Sequence, residues 1–277
     1  KGPKEPDARR TAPAPPLPRD PEAVQYYSTK GVASPARLLH PTFKNVTLKS
    51  LLDYGEPFIV GDTISKWKAA HKWTCEYFFD AFEDAPVEVL LGGRKRRMTF
   101  EALQELPGER PQRWYWQPFG NGSTVDRRKF TKSYSLPSFL VPTDANERQF
   151  MTSARLIFQN QTSRAAFHRY PTCQSQMLTQ ITGTVHVVLG LPSPEGGASH
   201  ATFTKLFDFD LRPGDTAVFP AGMVYELNSP SGGCGVTLAS YFQDPVPVMY
   251  VDQFSRRLRS AEFISHCFKS LWDAARH

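Results

Sequence analysis

Short hydrophobic runs separated by Gly, Pro, Ser and Asn recur through the second half of the chain. Several runs alternate apolar with polar residues, and Val, Ile, Phe and Thr are frequent in them. This pattern is typical of β-strands, whose side chains point alternately to the two faces of a sheet. Because consecutive short strands joined by turn residues characterise barrels and sandwiches, we expect a mostly β domain here. The predicted strands comprise residues 156–158, 176–181, 184–189, 201–207, 216–219 and 235–242.

The region before these strands mixes strands with helices. Apolar runs that end at glycine predict buried strands at residues 57–61 and 87–91. Aromatic residues at helical spacing predict short helices, and Thr99 has the side chain of an N-terminal cap. The predicted helices comprise residues 64–70, 74–82 and 99–106.

Two unusual clusters in this region have ordinary structural interpretations. The basic sequence at residues 94–97 follows Gly92-Gly93, and we interpret it as a solvated turn rather than a site for phosphate or lipid. The Trp-Tyr-Trp sequence at residues 114–116 could stack nucleic-acid bases, but a packed strand explains it better.

Composition divides the chain into four parts. Residues 1–22 are rich in proline and charge, which favours an extended tail that is either a disordered linker or a docking segment on a partner. Residues 23–150 form the strand and helix region, and residues 151–250 form the core of the predicted barrel. Residues 251–277 have the spacing of an amphipathic helix, which predicts packing on the barrel or on a partner.

Length and charge exclude few classes of function. The chain has 277 residues and a formal net charge of +6, a balance found in nucleic-acid binders, proteins at anionic membranes and organellar proteins. No apolar run reaches the roughly 18 residues that a membrane-spanning helix needs. The sequence begins at a lysine, which suggests a processed N-terminus and favours an organelle such as the mitochondrion.

Cysteines and glycosylation motifs leave the compartment open. Four cysteines show no C-x-x-C spacing, so one or two disulfides and four reduced thiols are both compatible with the sequence. Three N-x-[S/T] motifs give weak support to the alternative of a secretory route. The cysteines are Cys75, Cys173, Cys234 and Cys267, and the candidate glycosylation sites are Asn45, Asn121 and Asn160.

Three stretches give the chain a family resemblance. The most specific is the Pro-Gly-Asp turn that opens residues 213–225, with a second proline and a tyrosine at its end. The other two are the strand and Trp-rich segment at residues 56–78, and residues 165–183, which contain Phe-His-Arg-Tyr. Across roughly residues 45–245 the chain resembles the JmjC-type (cupin-8) branch of the cupin superfamily. The resemblance implies a double-stranded β-helix, a jelly-roll barrel with flanking N- and C-terminal helices and a pocket at one mouth.

Active members of that family use Fe(II) and 2-oxoglutarate, and hold iron with two histidines and a carboxylate. The resemblance places His168 at the first histidine, Tyr170 at the carboxylate and Tyr225 at the distal histidine. It places Ala165 and Val185 at positions that help to hold 2-oxoglutarate. One imidazole and two neutral phenols form a poor iron site, because a phenol has a pKa near 10 and carries no charge at neutral pH. We therefore expect neither a metal nor a cofactor.

Other polar residues nearby have simpler interpretations. Asp208 and Asp210 alternate with phenylalanine and are expected on the outer face of a strand. Asp215 is interpreted as a turn former, and Glu226 is expected to point away from the pocket. A register shift of one residue would put His186 at the co-substrate position. His186 and His200 lie on or after the strand that follows Gly183, and a relocated site that combines His168 with His186 is a further alternative.

These observations favour a catalytically inactive cupin-like domain that acts as a structural or accessory subunit of a larger protein assembly. Residues 1–22 and the C-terminal helix would contact the protein partners, and no strong nucleic-acid signal is present. The first alternative is an Fe(II)/2-oxoglutarate hydroxylase with an atypical ligand set. The second is a non-catalytic cupin that binds a small ligand or glycan in the barrel mouth.

Overall fold

The computed structural model describes residues 36–39, 57–91, 94–106, 113–119, 130–137, 153–160, 175–192, 203–219, 223–228 and 233–242. Within these ranges lie the strands β1 Ala36–Leu39, β2 Phe58–Gly61, β3 Pro86–Leu91, β4 Arg94–Thr99, β5 Arg113–Trp116, β6 Arg155–Gln159, β7 Ser175–Thr182, β8 Val185–Pro192, β9 Phe203–Leu211, β10 Thr216–Phe219, β11 Val224–Asn228 and β12 Gly235–Phe242. The helices there are α1 Ala69–Lys72, α2 Cys75–Ala81 and α3 Phe100–Gln104. The predicted tail at residues 1–22 and the predicted helix at 251–277 lie outside the described residues.

The strands form two sheets, which confirms the prediction of a mostly β domain. The large sheet has nine strands in the order β1-β2-β10-β7-β12-β6-β5-β3-β4, and the small sheet has three in the order β11-β8-β9. Apart from the parallel pair β1–β2, the neighbouring strands are antiparallel.

The central strands of the large sheet are buried on both faces, which explains why they contain long runs of buried residues. On β7, Met177 packs in the cluster shared with the helices, whereas the next residue, Leu178, packs in the cluster shared with the small sheet. On β12, Leu238 and Ala239 divide between the same two clusters. Side chains that alternate across the strand thus fill a helical layer on one face and an inter-sheet layer on the other.

The helical layer is an aromatic cluster. Trp73 stacks on Phe130 with ring centroids 4.7 Å apart, and Trp114 stacks on Phe158 at 5.5 Å. Phe78 of α2 is fully buried and meets Phe158 edge-on at 5.0 Å. Large aromatic side chains bury much apolar surface, so this layer fixes the helices on the sheet.

Local capping sets the beginning of two helices. The Thr99 hydroxyl accepts a hydrogen bond of 3.1 Å from the Ala102 amide, as the sequence predicts for α3. The Thr74 hydroxyl accepts one of 3.2 Å from the Tyr77 amide at the start of α2. Each hydroxyl satisfies an amide that the first helical turn leaves without a partner.

The chain crosses between the sheets as a folded ribbon. It runs from β7 in the large sheet to β8 and β9 in the small sheet, and returns to β10 in the large sheet. Strand β7 pairs with β10 in the large sheet, and β8 pairs with β9 in the small sheet. The half of the ribbon formed by β7 and β8 is therefore antiparallel to the half formed by β9 and β10 in both sheets. Strand β11 then pairs with β8 in the small sheet, and β12 returns between β7 and β6.

Two glycines make the turns of this ribbon possible. Gly183, between β7 and β8, has φ +73, and a Cβ there would lie 3.1 Å from the Gly235 Cα. Gly214, between β9 and β10, has φ +95. Its amide donates a hydrogen bond of 2.9 Å to the Gln180 carbonyl, so the Pro-Gly-Asp turn packs on β7. Side chains other than glycine rarely adopt these φ values.

The basic sequence at residues 94–97 is not a turn, contrary to our expectation. It begins β4, which pairs with β3 at one edge of the large sheet. Lys95, Arg96 and Arg97 are exposed there. Charged side chains are common on edge strands because they oppose pairing with another chain, and composition alone cannot separate this role from that of a turn.

A disulfide between Cys75 and Cys234 joins the start of α2 to the residue before β12. The Cα atoms are 6.0 Å apart and the cysteines are 159 residues apart in sequence. Cys173 and Cys267 lie outside the described residues. The described part of the chain contains no helix of the length and apolar character needed to cross a bilayer.

Candidate functional site

The space between the two sheets is where a barrel of the expected type would hold its ligands. Tyr225 enters it from β11, on a strand that pairs with β8 at Leu189. Its side chain is completely buried and meets Phe219 edge-on, with ring centroids 5.7 Å apart. Tyr225 therefore packs as a core residue in the described structure.

Apolar side chains from both sheets surround Tyr225. The small sheet and the segment before β11 supply aliphatic and aromatic residues, and the large sheet supplies more of the same kind. The buried members of this cluster are Ile59, Tyr115, Ile157, Leu178, Val185, Val187, Leu189, Phe207, Phe209, Leu211, Ala217, Phe219, Met223, Tyr225, Leu227 and Ala239. An environment of this kind favours packing and disfavours a bound ion.

One end of the inter-sheet layer contains a buried cation. Arg113 on β5 is 4% exposed, and its guanidinium donates a hydrogen bond of 2.6 Å to the Leu227 carbonyl on β11. The Gln159 side-chain amide donates a second bond, of 3.3 Å, to the same carbonyl. These donors anchor the strand that carries Tyr225 to the large sheet.

The buried cation and its aromatic neighbour influence each other. Burial lowers the pKa of Arg113, while the nearby Tyr115, Glu226 and Tyr225 oppose that shift. Burial raises the pKa of Tyr115 to about 12, although Arg113 acts in the other direction through its charge and a side-chain hydrogen bond. The guanidinium remains charged and the phenol neutral at physiological pH, so this pair has no group that titrates there.

A second polar group organises the same end of the layer. The Thr237 hydroxyl donates a hydrogen bond of 2.6 Å to Gln180 Oε1. Gln180 Nε2 donates to the carbonyls of Thr182 at 2.7 Å and Gly183 at 3.1 Å. The Gln180 side chain therefore stabilises the β7–β8 turn, and its polar atoms are occupied by the protein itself.

The structure describes only part of the expected site. Ala165, His168 and Tyr170 lie outside the described residues. Val185, at an expected co-substrate position, is buried among the apolar residues between the sheets. Its aliphatic side chain provides no cation for a carboxylate.

His186 lies on the opposite face of β8. Its Nε2 is 2.7 Å from an Asp208 carboxylate oxygen, and its Nδ1 is 2.9 Å from one of Asp210. Both aspartates are on β9, at partly or fully exposed positions, as the alternation with phenylalanine predicts. Because each ring nitrogen meets a different carboxylate, the imidazole separates the two groups, and they do not form one chelating set. His200 is outside the described ranges.

Asp215 has the role of a turn former. Its carboxylate accepts a hydrogen bond of 3.0 Å from the Arg212 amide, and its own amide donates one of 2.9 Å to the Arg212 carbonyl. Glu226 is half-buried and accepts a bond of 2.9 Å from the Asn228 side chain. Neither carboxylate belongs to the apolar cluster around Tyr225.

One of the three candidate glycosylation sites can be placed. Asn160 follows β6 and is half-buried. Asn45 and Asn121 are outside the described part of the chain.

The donors that can be placed do not fit an iron centre. Among the described residues, no group of three His, Cys, Asp or Glu side chains lies close enough together to hold a metal ion. Tyr225, which the resemblance places at the distal histidine, has its phenol in apolar packing, and phenols bind ferrous iron weakly unless they ionise.

Sequence reasoning missed Arg113, Gln159 and Gln180. Arg113 begins β5, Gln159 ends β6 and Gln180 lies within β7, and a polar residue at such a position is a weak signal. Their hydrogen-bond partners come from distant segments, so local pattern does not reveal their role.

Searches against protein-family models and curated protein sequences found no match.

Proposed function

We propose that the domain is a JmjC/cupin-type double-stranded β-helix whose site is inactive. Support for this fold comes from the ribbon in which β7 and β8 pair with β10 and β9. A second ribbon of the same kind would pair β6 and its following strand with β12 and β11. The pair β6–β12 is present, and β11 lies beside β8 in the small sheet.

The main support for inactivity is the packing of Tyr225. A ligand position in a working site points into a space that metal and co-substrate can enter. Tyr225 instead fills the space between Phe219 and its apolar neighbours and is fully buried. To admit iron, this core residue would have to leave its packing, and that costs several kcal/mol.

We further propose that the chain serves as a structural or accessory subunit of a larger protein assembly. A cupin-like domain without a working site can serve as a scaffold, because function belongs to the sites on a fold and not to the fold itself. The Pro-rich residues 1–22 and the amphipathic pattern at 251–277 supply the contact segments in this proposal.

The disulfide gives the secretory alternative more weight than a reducing compartment. Cys75 and Cys234 are cross-linked, and such bonds persist mainly in oxidising environments. We therefore place the chain in the secretory pathway or another oxidising space in this proposal, rather than in a reducing organellar interior.

Metal content and turnover test the inactive site. The full chain would be loaded with Fe(II) without oxygen, desalted, and analysed for iron and for succinate released from 2-oxoglutarate. We expect far less than one iron per chain, no succinate above the protein-free background, and no change in His168→Ala. One iron per chain with succinate release that His168→Ala abolishes would establish the hydroxylase alternative.

Cysteine cross-linking tests the fold separately. In a double-stranded β-helix the positions of Tyr170 and Tyr225 face each other, so Tyr170→Cys with Tyr225→Cys should form a new disulfide under mild oxidation. The matched pair Tyr170→Cys with Glu226→Cys should not, because Glu226 lies on the other face of β11. Mass spectrometry of peptides would identify the bonds. Equal cross-linking in both pairs would contradict the barrel.

The subunit role has its own measurement. In native extract, the chain should elute from gel filtration at a mass well above its own 31.2 kDa. Deletion of residues 1–22 should shift it toward the monomer. Elution of the intact chain as a monomer in fresh extract would argue against a stable assembly.

A further inference from the structure

We propose that a groove on the helical face of the domain binds an organic phosphate that carries two or more negative charges. The groove lies between α1, α2 and the segment at residues 130–137, and is a half-open concavity of about 550 Å³. Three lysines line it: Lys68, Lys72 and Lys132. It belongs to the opposite side of the large sheet from Tyr225, so it is independent of the inter-sheet site.

The charges in the groove are of one sign. Lys68 and Lys72 are one helical turn apart, and Lys132 comes from a separate segment. All three are exposed, and no carboxylate is among the described residues that line the groove. Three like charges around one concavity raise the local potential and attract an anion. Lysine ammonium groups act as point charges that suit phosphate oxygens.

Aromatic side chains form part of the groove lining. Tyr77 and Phe82 line it, with ring centroids 5.9 Å apart in an edge-to-face arrangement. The Lys72 ammonium lies 4.7 Å from the centroid of the Tyr77 ring, a cation–π distance. Apolar surface beside the charges provides a place for the uncharged part of a phosphate ester.

The two sides of the groove are held together by the fold. The Ala69 amide donates a hydrogen bond of 2.8 Å to the Ser133 carbonyl, which ties α1 to the segment that carries Lys132. Trp73, directly after α1, stacks on Phe130 at 4.7 Å. Because the backbone around the lysines is already fixed, ligand binding would order only side chains.

Size and shape favour a small molecule over a macromolecule. The volume falls within the range of about 300–1,000 Å³ that is usual for small-molecule sites. The lysines converge on one concavity instead of following a line along the surface, as they would for an extended acidic peptide or a nucleic-acid strand.

Calorimetric titration tests the site with defined probes: tripolyphosphate, adenosine triphosphate without magnesium, adenosine and hexaglutamate. The groove variant is Lys68→Gln with Lys132→Gln, which leaves Lys72 on Tyr77. The matched control is Lys205→Gln with Arg212→Gln, which removes the same charge from exposed positions on and after β9. All four side chains are exposed, so both variants should fold.

We expect both phosphates to bind the wild type, with adenosine triphosphate the tighter, and adenosine to give no heat. The groove variant should weaken phosphate binding by roughly tenfold or more, and the control by less than about threefold. Three results would each overturn the proposal: no phosphate binding at low salt, equal losses in the two variants, or tighter binding of hexaglutamate than of adenosine triphosphate.

Discussion

The guanidinium of Arg113 on β5 donates a hydrogen bond of 2.6 Å to the main-chain carbonyl of Leu227 on β11. The two residues are 114 positions apart and belong to different sheets. A buried charged donor thus holds the small sheet against the large one. Its acceptor, Leu227, is two residues after Tyr225 on the same strand. The stability of the inter-sheet layer depends on this contact in a way that can be measured.

Replacing Arg113 with methionine should destabilise the protein by roughly 2–3 kcal/mol, because a hydrogen bond from a charged group is lost. Leu227 would keep only the longer bond from Gln159. Urea unfolding gives the change in free energy. Arg96→Met is the matched control, since Arg96 is exposed on β4 and its replacement should change stability by less than about 0.5 kcal/mol. Equal losses in the two variants would mean that the inter-sheet bond has no special role.

Truncation of Tyr225 to alanine should cost about 3–5 kcal/mol, the usual penalty for removing a buried aromatic side chain. The reason is that this residue is fully buried and packs on Phe219. Chemical denaturation measures the loss. The neighbouring Glu226→Gln keeps an acceptor for Asn228 and should change stability by less than about 0.5 kcal/mol. If Tyr225→Ala were as stable as Glu226→Gln, Tyr225 would line an open pocket and not the core.

Alkaline pH should weaken the fold through Tyr115. Its pKa is about 12 in the folded chain, against about 10 in the unfolded chain, because burial disfavours the phenolate. The stability that the buried phenol of Tyr115 contributes is therefore fully present below pH 10. Between pH 10 and 12 the unfolded chain releases its proton first, and roughly 2–3 kcal/mol of stability is lost.

Denaturant unfolding between pH 9 and about 12 would test this expectation in the wild type and in Tyr115→Phe. The variant should lose less stability with rising pH. Burial also raises the pKa of Tyr134, so part of the alkaline loss should remain in both proteins. Identical pH profiles would show that Tyr115 ionises as easily in the folded chain as in the unfolded one.

Removal of the Cys75–Cys234 disulfide should lower stability by about 2–4 kcal/mol. The chain-entropy estimate for so long a loop approaches about 5 kcal/mol, since the bond restricts the unfolded chain. The double variant Cys75→Ala with Cys234→Ala should unfold at lower urea than the wild type. Reductant should shift the wild type to the same midpoint and leave the variant unchanged. A wild type that is insensitive to reductant would indicate that the two thiols are not joined.

Local pattern was sufficient for most of the secondary structure, although the helix predicted at residues 64–70 is misplaced, since α1 comprises Ala69–Lys72. Residues 216–219 and 235–242 are strands with the predicted bounds, and the predicted helix near 99–106 begins at its Thr99 cap. Alternation, turn residues and caps act between neighbours in sequence, so they can be recognised without the fold. The prediction of a turn at residues 94–97 was wrong because these charged residues lie on β4, at one edge of the large sheet. The sequence does not show which strand lies at the edge.

The candidate site was less accessible to sequence reasoning. The resemblance singles out Tyr225, but its burial depends on the packing of β11 against β10 across the inter-sheet layer, which the sequence does not show. The assignments of His168, Tyr170 and Ala165 remain predictions. The buried Arg113 contact had no local signature, because its acceptor is a main-chain carbonyl in another sheet.

The sequence by itself determined that this chain is mostly β and where most of the strands in its second half lie, although it did not mark out β11, which carries Tyr225. These features follow from residue type and short-range spacing. Only the tertiary structure decided which strands are neighbours, that Cys75 meets Cys234, that Arg113 spans two sheets, and that lysines from two segments share one groove. These contacts join distant segments, and they depend on which segments cover each face of the large sheet. That arrangement is a property of the whole packed chain and not of any short stretch of sequence.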